Sequence, residues 1–285
     1  MAIIKSQKNI MPQLQQDVQA FLARKPLEKS SLVLDGTGVN GGIQYAVLNS
    51  LGWERLTKLS AIHVVSGSTF SWIYYWALHQ GLTKVPENHG EQWDREMRGL
   101  HQRIPILGLL EPLINNVLNR RSSRPSRLLS DMLHLLLNED GCGTTVEALP
   151  PNVVFWTYEK GTKKLVEISP SSPLKTKRLD ELVQITCRAP FLYQAYTDEH
   201  GSYTDPVYSP QHSQLRKILS ASSENVLFSN VIKQKSTPSI IFTKPHGYKN
   251  GRLLLARDFA LFQAGLPNPW VRDSIDNGLI HTENC

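Results

Sequence analysis

The chain is short of the features that define several common classes of protein. Its 285 residues contain no run of eighteen apolar residues, which argues against a membrane-spanning helix. Cys142, Cys187 and Cys285 are too few and too scattered for a disulfide framework or a zinc site, and no metal or cofactor is expected. The first residues lack the apolar stretch and cleavage site of a secretory signal. These absences favour a cytoplasmic protein, although export without a cleaved signal stays open.

Charge is distributed unevenly along the chain. The net charge is +6 and the isoelectric point is about 9.2. Seven arginines lie within residues 95–127, where leucines are interleaved among them. Such a run is typical of a solvated basic face, and it also suits peripheral contact with an anionic membrane surface. Nucleic acid is not an expected partner, because zinc-finger spacing and RNA-binding aromatic signatures are absent.

The order of hydrophobic patterns predicts an α/β fold. Short buried strands alternate with amphipathic helices, which favours one domain over 1–285 with a mainly parallel central sheet flanked by helices. Residues 84–140 are predicted to be a helical insertion or lid, with helices at 91–101, 112–119 and 126–138. The remaining predicted helices are 11–24, 41–52, 67–81 and 178–188. The predicted strands are 31–35, 59–65, 152–159, 163–169, 225–231 and 238–244. Residues 201–210 are predicted to be a strand that runs into a turn after Asp205, and loops and short helices are expected at the end of the chain.

Two glycine-containing turns follow the first two predicted strands. Residues 35–42 read "DGTGVNGG", and residues 64–68 read "VVSGS". In parallel sheets, ligands bind at the carboxyl ends of strands, where both turns would lie. The first turn fits the dinucleotide-binding fingerprint only in part, and no acidic residue closes the next strand. It also offers backbone N–H groups at a helix start, which can bind a developing oxyanion.

Ser66 is the candidate nucleophile in the second turn. A serine between a strand and a helix presents its hydroxyl outward, and the N–H of Gly67 then points toward a reacting carbonyl. The alternative is a glycine-containing loop with no chemical role, because the usual G-x-S-x-G pattern is incomplete here. Serine needs an adjacent base. Asp205, at the end of a predicted strand, fits that role better than His246 or His281.

Four segments in the same order resemble the patatin-like phospholipases. "LVLDGTGVNGG" (32–42) is similar to their oxyanion segment, and "VVSGSTFSWIYYWAL" (64–78) is similar to their nucleophile elbow, closest to the S-G-S-T form of the group IV cytosolic phospholipases. The segment 153–169 resembles their hairpin, and 185–210 resembles the segment leading to the catalytic aspartate. The resemblance covers roughly 31–80 and 150–212, and it implies a patatin-like three-layer fold.

The resemblance also implies a catalytic dyad without histidine. Ser66 would attack an acyl ester while Asp205 takes its proton, and backbone N–H groups around Gly36, Thr37 and Gly38 would stabilise the oxyanion. A water activated by Asp205 would then release the acyl group. The sequence departs from the family pattern at four positions: Thr37, Val64 and Pro206 each replace a glycine, and Asn40 replaces an arginine.

Two further residues are candidates for substrate binding. Trp72, on the helix after Ser66, would contact an acyl chain or else belong to the core. Arg188 would bind a carboxylate or phosphate near the site or else pair with a surface acid.

Two classes of function therefore remain. The first is a serine acyl hydrolase acting on a lipid or another acyl ester, or a divergent hydrolase or acyltransferase acting on a thioester or specialised metabolite. The second is a non-catalytic module that binds a lipid or a partner.

Overall fold

A computed structural model describes residues 10–36, 41–84, 128–190, 193–229 and 240–241. Within these ranges the chain forms eight α-helices and eight strands. The helices are α1 (Ile10–Arg24), α2 (Gly41–Leu51), α3 (Trp53–Leu56), α4 (Ser68–His79), α5 (Leu128–Leu136), α6 (Glu139–Gly143), α7 (Leu179–Thr186) and α8 (His212–Ser220). The strands are β1 (Ser30–Leu34), β2 (Ala61–Val65), β3 (Val153–Glu159), β4 (Lys164–Ile168), β5 (Tyr196–Asp198), β6 (Gly201–Thr204), β7 (Asn225–Ser229) and β8 (Ile240–Ile241).

The described strands form one mixed sheet that is mostly parallel at its centre. Its order is β5-β6-β3-β2-β1-β7-β8, and β4 pairs with β3 outside this path. The four pairings from β3 through β2, β1 and β7 to β8 are parallel. The pairings of β4, β5 and β6 are antiparallel. The predicted α/β class with helices flanking a mainly parallel sheet is confirmed.

The central sheet is buried on both faces. Successive side chains of a strand point to opposite faces, so Leu32 and Leu34 belong to the larger core with α2, α4 and α7, whereas Val33 belongs to a second cluster. Leu215 and Leu219 of α8 pack in that second cluster. The central strands therefore read as continuous apolar runs, as expected for parallel strands covered by helices.

The register of the strands brings the ends of β2 and β6 together. Val65, the last residue of β2, lies beside Trp156 of β3. Thr204, the last residue of β6, lies beside Tyr158 of β3. Because β4 occupies the other edge of β3, β2 and β6 approach each other along one edge. Thr157 of β3 lies between Trp156, which pairs with the end of β2, and Tyr158, which pairs with the end of β6. The residues that follow β2 and β6 in the chain therefore meet beside Thr157.

Most of the predicted elements are confirmed, and four of the observed helices and strands were missed. The confirmed elements are α1, α2, α4, α5, α7, the hairpin of β3 and β4, and strands β1, β2, β6, β7 and β8. The sequence patterns did not predict α3, α6, β5 or α8. The helices predicted at 91–101 and 112–119, the basic segment 95–127 and most of the chain after 229 lie outside the described residues.

Helix α8 supplies a test of the second core. Replacing Leu219, which is fully buried, with alanine should lower the free energy of unfolding by about 2–4 kcal/mol, because a cavity is left against the sheet. The neighbouring Ile218 is 41% exposed, so Ile218→Ala should change stability by less than about 1 kcal/mol. Urea unfolding of the two variants measures the difference, and equal losses would contradict this packing.

Candidate active site

Ser66 lies on a sharp turn between β2 and α4. Its φ is +55°, in the left-handed region that residues with a Cβ seldom occupy. This backbone conformation costs on the order of 1–3 kcal/mol, and such strain is frequent at functional sites. Two contacts hold the turn: the Ser66 carbonyl accepts hydrogen bonds from the Thr69 N–H at 2.9 Å and from the Cys187 thiol at 3.0 Å.

The Ser66 hydroxyl donates a hydrogen bond to Oδ2 of Asp205. Both residues are buried, with exposed fractions of 5% and 1%. They are 139 residues apart in the chain and meet because β2 and β6 end against the same edge of β3. The structure thus brings the predicted nucleophile and the predicted base into direct contact.

A short turn after β6 fixes the orientation of Asp205. Its N–H donates to the Arg188 carbonyl at 2.9 Å, and its Oδ1 accepts from the Val207 N–H at 2.9 Å. Pro206 begins a 3-10 turn, Pro206–Tyr208. Proline is well suited to this first position, because the N–H that it lacks would have no acceptor within the turn. Oδ2 therefore remains directed at Ser66.

Burial makes the Asp205 carboxylate an unusually strong base. Removal from water raises the pKa of Asp205 to about 7, although the hydrogen bonds from Ser66 and Val207 act in the opposite direction. A carboxylate with a pKa near neutrality is matched to accepting and returning a proton at physiological pH. Burial raises the pKa of the adjacent Cys187 thiol to about 12, so this thiol stays protonated and acts as a hydrogen-bond donor.

The first glycine turn lies directly against Ser66. A Cβ placed on Gly36 would lie 2.5 Å from Cγ2 of Val207 and 3.3 Å from Cβ of Ser66. A side chain therefore does not fit at position 36. The Gly36 N–H donates to Oδ1 of its neighbour Asp35 at 2.8 Å. The predicted role of Gly36 as an oxyanion donor stays a prediction, and the structure shows that its N–H is bonded to Asp35 and that it allows the close approach of the two turns.

Asp35 connects this turn to the rest of the site. Its carbonyl accepts from the Ser68 hydroxyl at 2.5 Å and from Nε2 of Gln44 at 3.0 Å. Its carboxylate is 2% exposed and pairs with Arg216, while His212 lies 3.8 Å away. Burial alone would raise the pKa of Asp35, but His212, Arg216 and the Gly36 N–H together hold it below its usual value. Asp35 is therefore an ionised group in the interior.

The other predicted site residues have different surroundings. Gly67 follows Ser66 at the start of α4, where the first N–H groups have no acceptor within the helix. Trp72 is buried in the core and stacks on Trp53, with ring centroids 6.3 Å apart. Arg188 contacts Asp205 through its carbonyl. Thr37 and Gly38 lie outside the described residues, as do His246 and His281.

The guanidinium of Arg188 binds within the protein. It donates to Oε1 of Gln184 at 2.7 Å and to the Gln194 carbonyl at 3.2 Å, and it lies over the Tyr196 ring. Substrate binding by Trp72 or Arg188 stays a prediction.

Several residues that support the site escaped the sequence patterns. Ser68 and Gln44 bond the Asp35 backbone, and Arg216 and His212 approach it from α8. The spacing of Leu215 and Leu219, four residues apart, was the available signal for α8, because such positions share one helix face. The sequence pattern of α8 does not indicate that this helix packs next to Asp35.

Among the residues that the structure describes, His, Cys, Asp and Glu side chains form no group of three that could hold a metal ion. None of the described helices combines the length and the apolar character needed to cross a bilayer.

No protein-family model matches the chain, and no curated protein matches it at a significant level. The function is therefore inferred from the geometry of the site.

Gly36→Ala tests the close approach of the two turns. The new methyl group would overlap Val207, so we expect a loss of about 1–3 kcal/mol in unfolding free energy. Adding Val207→Ala should restore part of that loss. Gly143 is the matched control, because a Cβ there meets nothing within 4 Å. Equal stability of the Gly36→Ala and Gly143→Ala proteins would contradict the described contact.

Asp205→Asn tests the raised pKa. Between pH 4 and 7 the folded protein keeps a proton on Asp205 that the unfolded chain has released. The free energy of unfolding should therefore fall as pH rises through this window, by up to about 1.4 kcal/mol per unit, and level off above pH 7. The difference between wild type and Asp205→Asn, measured by denaturant unfolding at each pH, isolates this effect. A constant difference across the window would show that the pKa is not raised.

Proposed function

We propose that this protein is a serine acyl hydrolase in which Ser66 is the nucleophile and Asp205 is the general base. The observation that carries the proposal is the hydrogen bond from the Ser66 hydroxyl to a buried Asp205 carboxylate, on a strained strand-to-helix turn. Serine is a weak nucleophile unless a neighbouring base takes its proton, and Asp205 is in contact with the correct oxygen. The substrate class is an acyl ester, of a lipid or of another alcohol.

In the first half of the reaction, Oγ of Ser66 attacks the ester carbonyl as its proton moves to Oδ2 of Asp205. The carbonyl oxygen becomes an oxyanion, which the backbone N–H of Gly67 at the start of α4 is suited to stabilise. Each such donor contributes about 3–4 kcal/mol to the transition state in well-studied enzymes. The carbon–oxygen bond to the alcohol then breaks, and Asp205 returns the proton to the departing alcohol. The product is an acyl ester on Ser66.

In the second half, Asp205 removes a proton from water, and the resulting hydroxide attacks the acyl group. The bond between the acyl carbon and Oγ of Ser66 breaks, Oγ recovers the proton from Asp205, and the carboxylic acid leaves. A pKa near 7 suits both halves, because the same carboxylate must accept and donate a proton in each cycle.

The finer proposal is that the protein is a divergent patatin-like acyl hydrolase. Support comes from the order of the four similar segments and from a mixed sheet with helices on both faces. Two departures from the family pattern are compatible with the chemistry. Val64 is a buried strand residue paired with Leu34 and Phe155, and Pro206 occupies a turn position that needs no N–H. The basic segment 95–127 remains a proposed contact for anionic membranes.

Labelling with a fluorophosphonate tests the assignment without knowledge of the substrate. We expect covalent labelling at Ser66 in the wild type and a loss of about 1000-fold or more in Ser66→Ala and Asp205→Asn, because nucleophile and base act as a unit. Below pH 7 the labelling rate should rise about tenfold per pH unit, as Asp205 becomes ionised, and it should level off above. Hydrolysis of p-nitrophenyl esters and lipids should follow the same pattern.

Two matched variants serve as controls. Ser60→Ala removes a hydroxyl that bonds the Ser30 carbonyl, just before the opposite end of β2. Asp140→Asn removes an exposed carboxylate. Both should be labelled at the wild-type rate. A folded wild type that is never labelled at Ser66 would exclude the hydrolase, and lipid or partner binding that survives Ser66→Ala would then favour the non-catalytic module.

A further inference from the structure

A buried ion cluster lies immediately behind the proposed active site. Arg216 of α8 donates to Oδ2 of Asp35, and Nε2 of His212, one turn earlier, lies 3.8 Å from Oδ1. All three side chains are largely removed from water, with exposed fractions of 12% for Arg216, 16% for His212 and 2% for Asp35. The Arg216 guanidinium also lies 5.8 Å from the centre of the Phe228 ring. The cation is therefore fixed between a strand-end carboxylate and an aromatic ring of β7.

Asp35, whose carboxylate is bound by Arg216, is connected to the segments around Ser66 by hydrogen bonds. Oδ1 of Asp35 accepts the Gly36 N–H. Gly36 itself lies so close to Val207 and Ser66 that a Cβ on it would be 2.5 Å from Cγ2 of Val207 and 3.3 Å from Cβ of Ser66. The Asp35 carbonyl accepts the hydroxyl of Ser68, two residues after the nucleophile. A shift of the Asp35 side chain would therefore move the glycine turn and the elbow together.

We propose that Arg216, with His212 beside it, is a positioning residue that holds the Asp35–Gly36 segment against Ser66 and offsets the charge of Asp35 next to the general base. This proposal rests on the proposed hydrolase function. Neither Arg216 nor His212 bonds the reacting atoms in the described structure. Their effect passes through Asp35, and the sequence shows no fixed cation in the glycine turn itself, where position 40 is asparagine.

The charges near Asp205 affect its pKa, so changes to Asp35 or Arg216 should shift that pKa. The neighbours that act on the Asp205 carboxylate are the Ser66 hydroxyl, the Val207 N–H, His212 and Asp35. Asp205 in turn acts on the Cys187 thiol and the Tyr208 hydroxyl. Of these groups, Asp35 disfavours ionisation of Asp205 and His212 favours it. Loss of Arg216 leaves the charge of Asp35 less compensated, so Asp205 should ionise at higher pH, whereas loss of the Asp35 charge should have the opposite effect.

The experiment measures fluorophosphonate labelling of Ser66 against reagent concentration and pH in Arg216→Gln, Arg216→Lys, Asp35→Asn and Lys217→Gln. Lys217→Gln is the matched control, because this substitution also removes one positive charge from α8, but at the next residue, which is exposed. We expect the maximal labelling rate of Arg216→Gln to fall tenfold or more at unchanged reagent affinity, since small displacements of a catalytic segment have large effects on rate. Arg216→Lys should recover part of the rate, and Lys217→Gln should stay within twofold of the wild type.

The pH midpoint separates a positioning role from simple loss of structure. It should move upward by about half a unit or more in Arg216→Gln and downward in Asp35→Asn. If Arg216→Gln does not fold, the double variant Asp35→Asn/Arg216→Gln removes both buried charges. It should fold, label slowly and show a midpoint near that of the wild type.

Two outcomes would overturn the proposal while leaving the hydrolase intact: equal rates for Arg216→Gln and Lys217→Gln, or midpoints that move in the same direction in Arg216→Gln and Asp35→Asn. A wild type that is not labelled would overturn the hydrolase and this role together.

Discussion

The proposed activity depends on a hydroxyl and a carboxylate that meet inside the protein, away from water. An exposed aspartate is too weak a base to activate serine at neutral pH, because its pKa is near 4. Asp205 is 1% exposed, and burial raises its pKa to about 7. The same burial makes the carboxylate costly to ionise, so the folded state gives up stability for a reactive pair, as is common at active sites.

The sheet makes this contact possible. β2 and β6 share one edge of β3, so Ser66 and Asp205 follow strands that end facing each other. Ser66 directly follows β2 and Asp205 directly follows β6, so the positions of both residues are set by the sheet. The left-handed backbone of Ser66 is stabilised by Thr69 and Cys187, and Asp205 is fixed by Arg188 and Val207. The rigid scaffold thus supplies the precision that proton transfer needs.

Much of the fold could be predicted from the sequence, because its strands and helices carry clear hydrophobic periodicity. The apolar runs at β1 and β2, the alternating hairpin of β3 and β4, and the helix after Ser66 all follow such patterns. Helix α8 was missed because its pattern amounts to little more than Leu215 and Leu219. Ser66 and Asp205 were predictable from local turn chemistry and the resemblance to a known family.

The ion cluster around Asp35 could not be predicted in the same way. Asp35, His212 and Arg216 are far apart in the chain, and their contact depends on how α8 crosses the second face of the sheet. The sequence does show that asparagine occupies position 40, but it does not show that a cation from another element lies behind the glycine turn. Long-range electrostatic partners of this kind become visible only when the fold is known.

The most direct test of the central claim is the ionisation of Asp205 itself. Carbon-13 NMR of labelled aspartate carboxyl groups, with Asp205→Asn to assign the resonance, follows that ionisation without any substrate. The account predicts a midpoint near pH 7. A carboxyl group that titrates near pH 4, as an exposed aspartate does, would contradict the claim that burial makes Asp205 the base for Ser66.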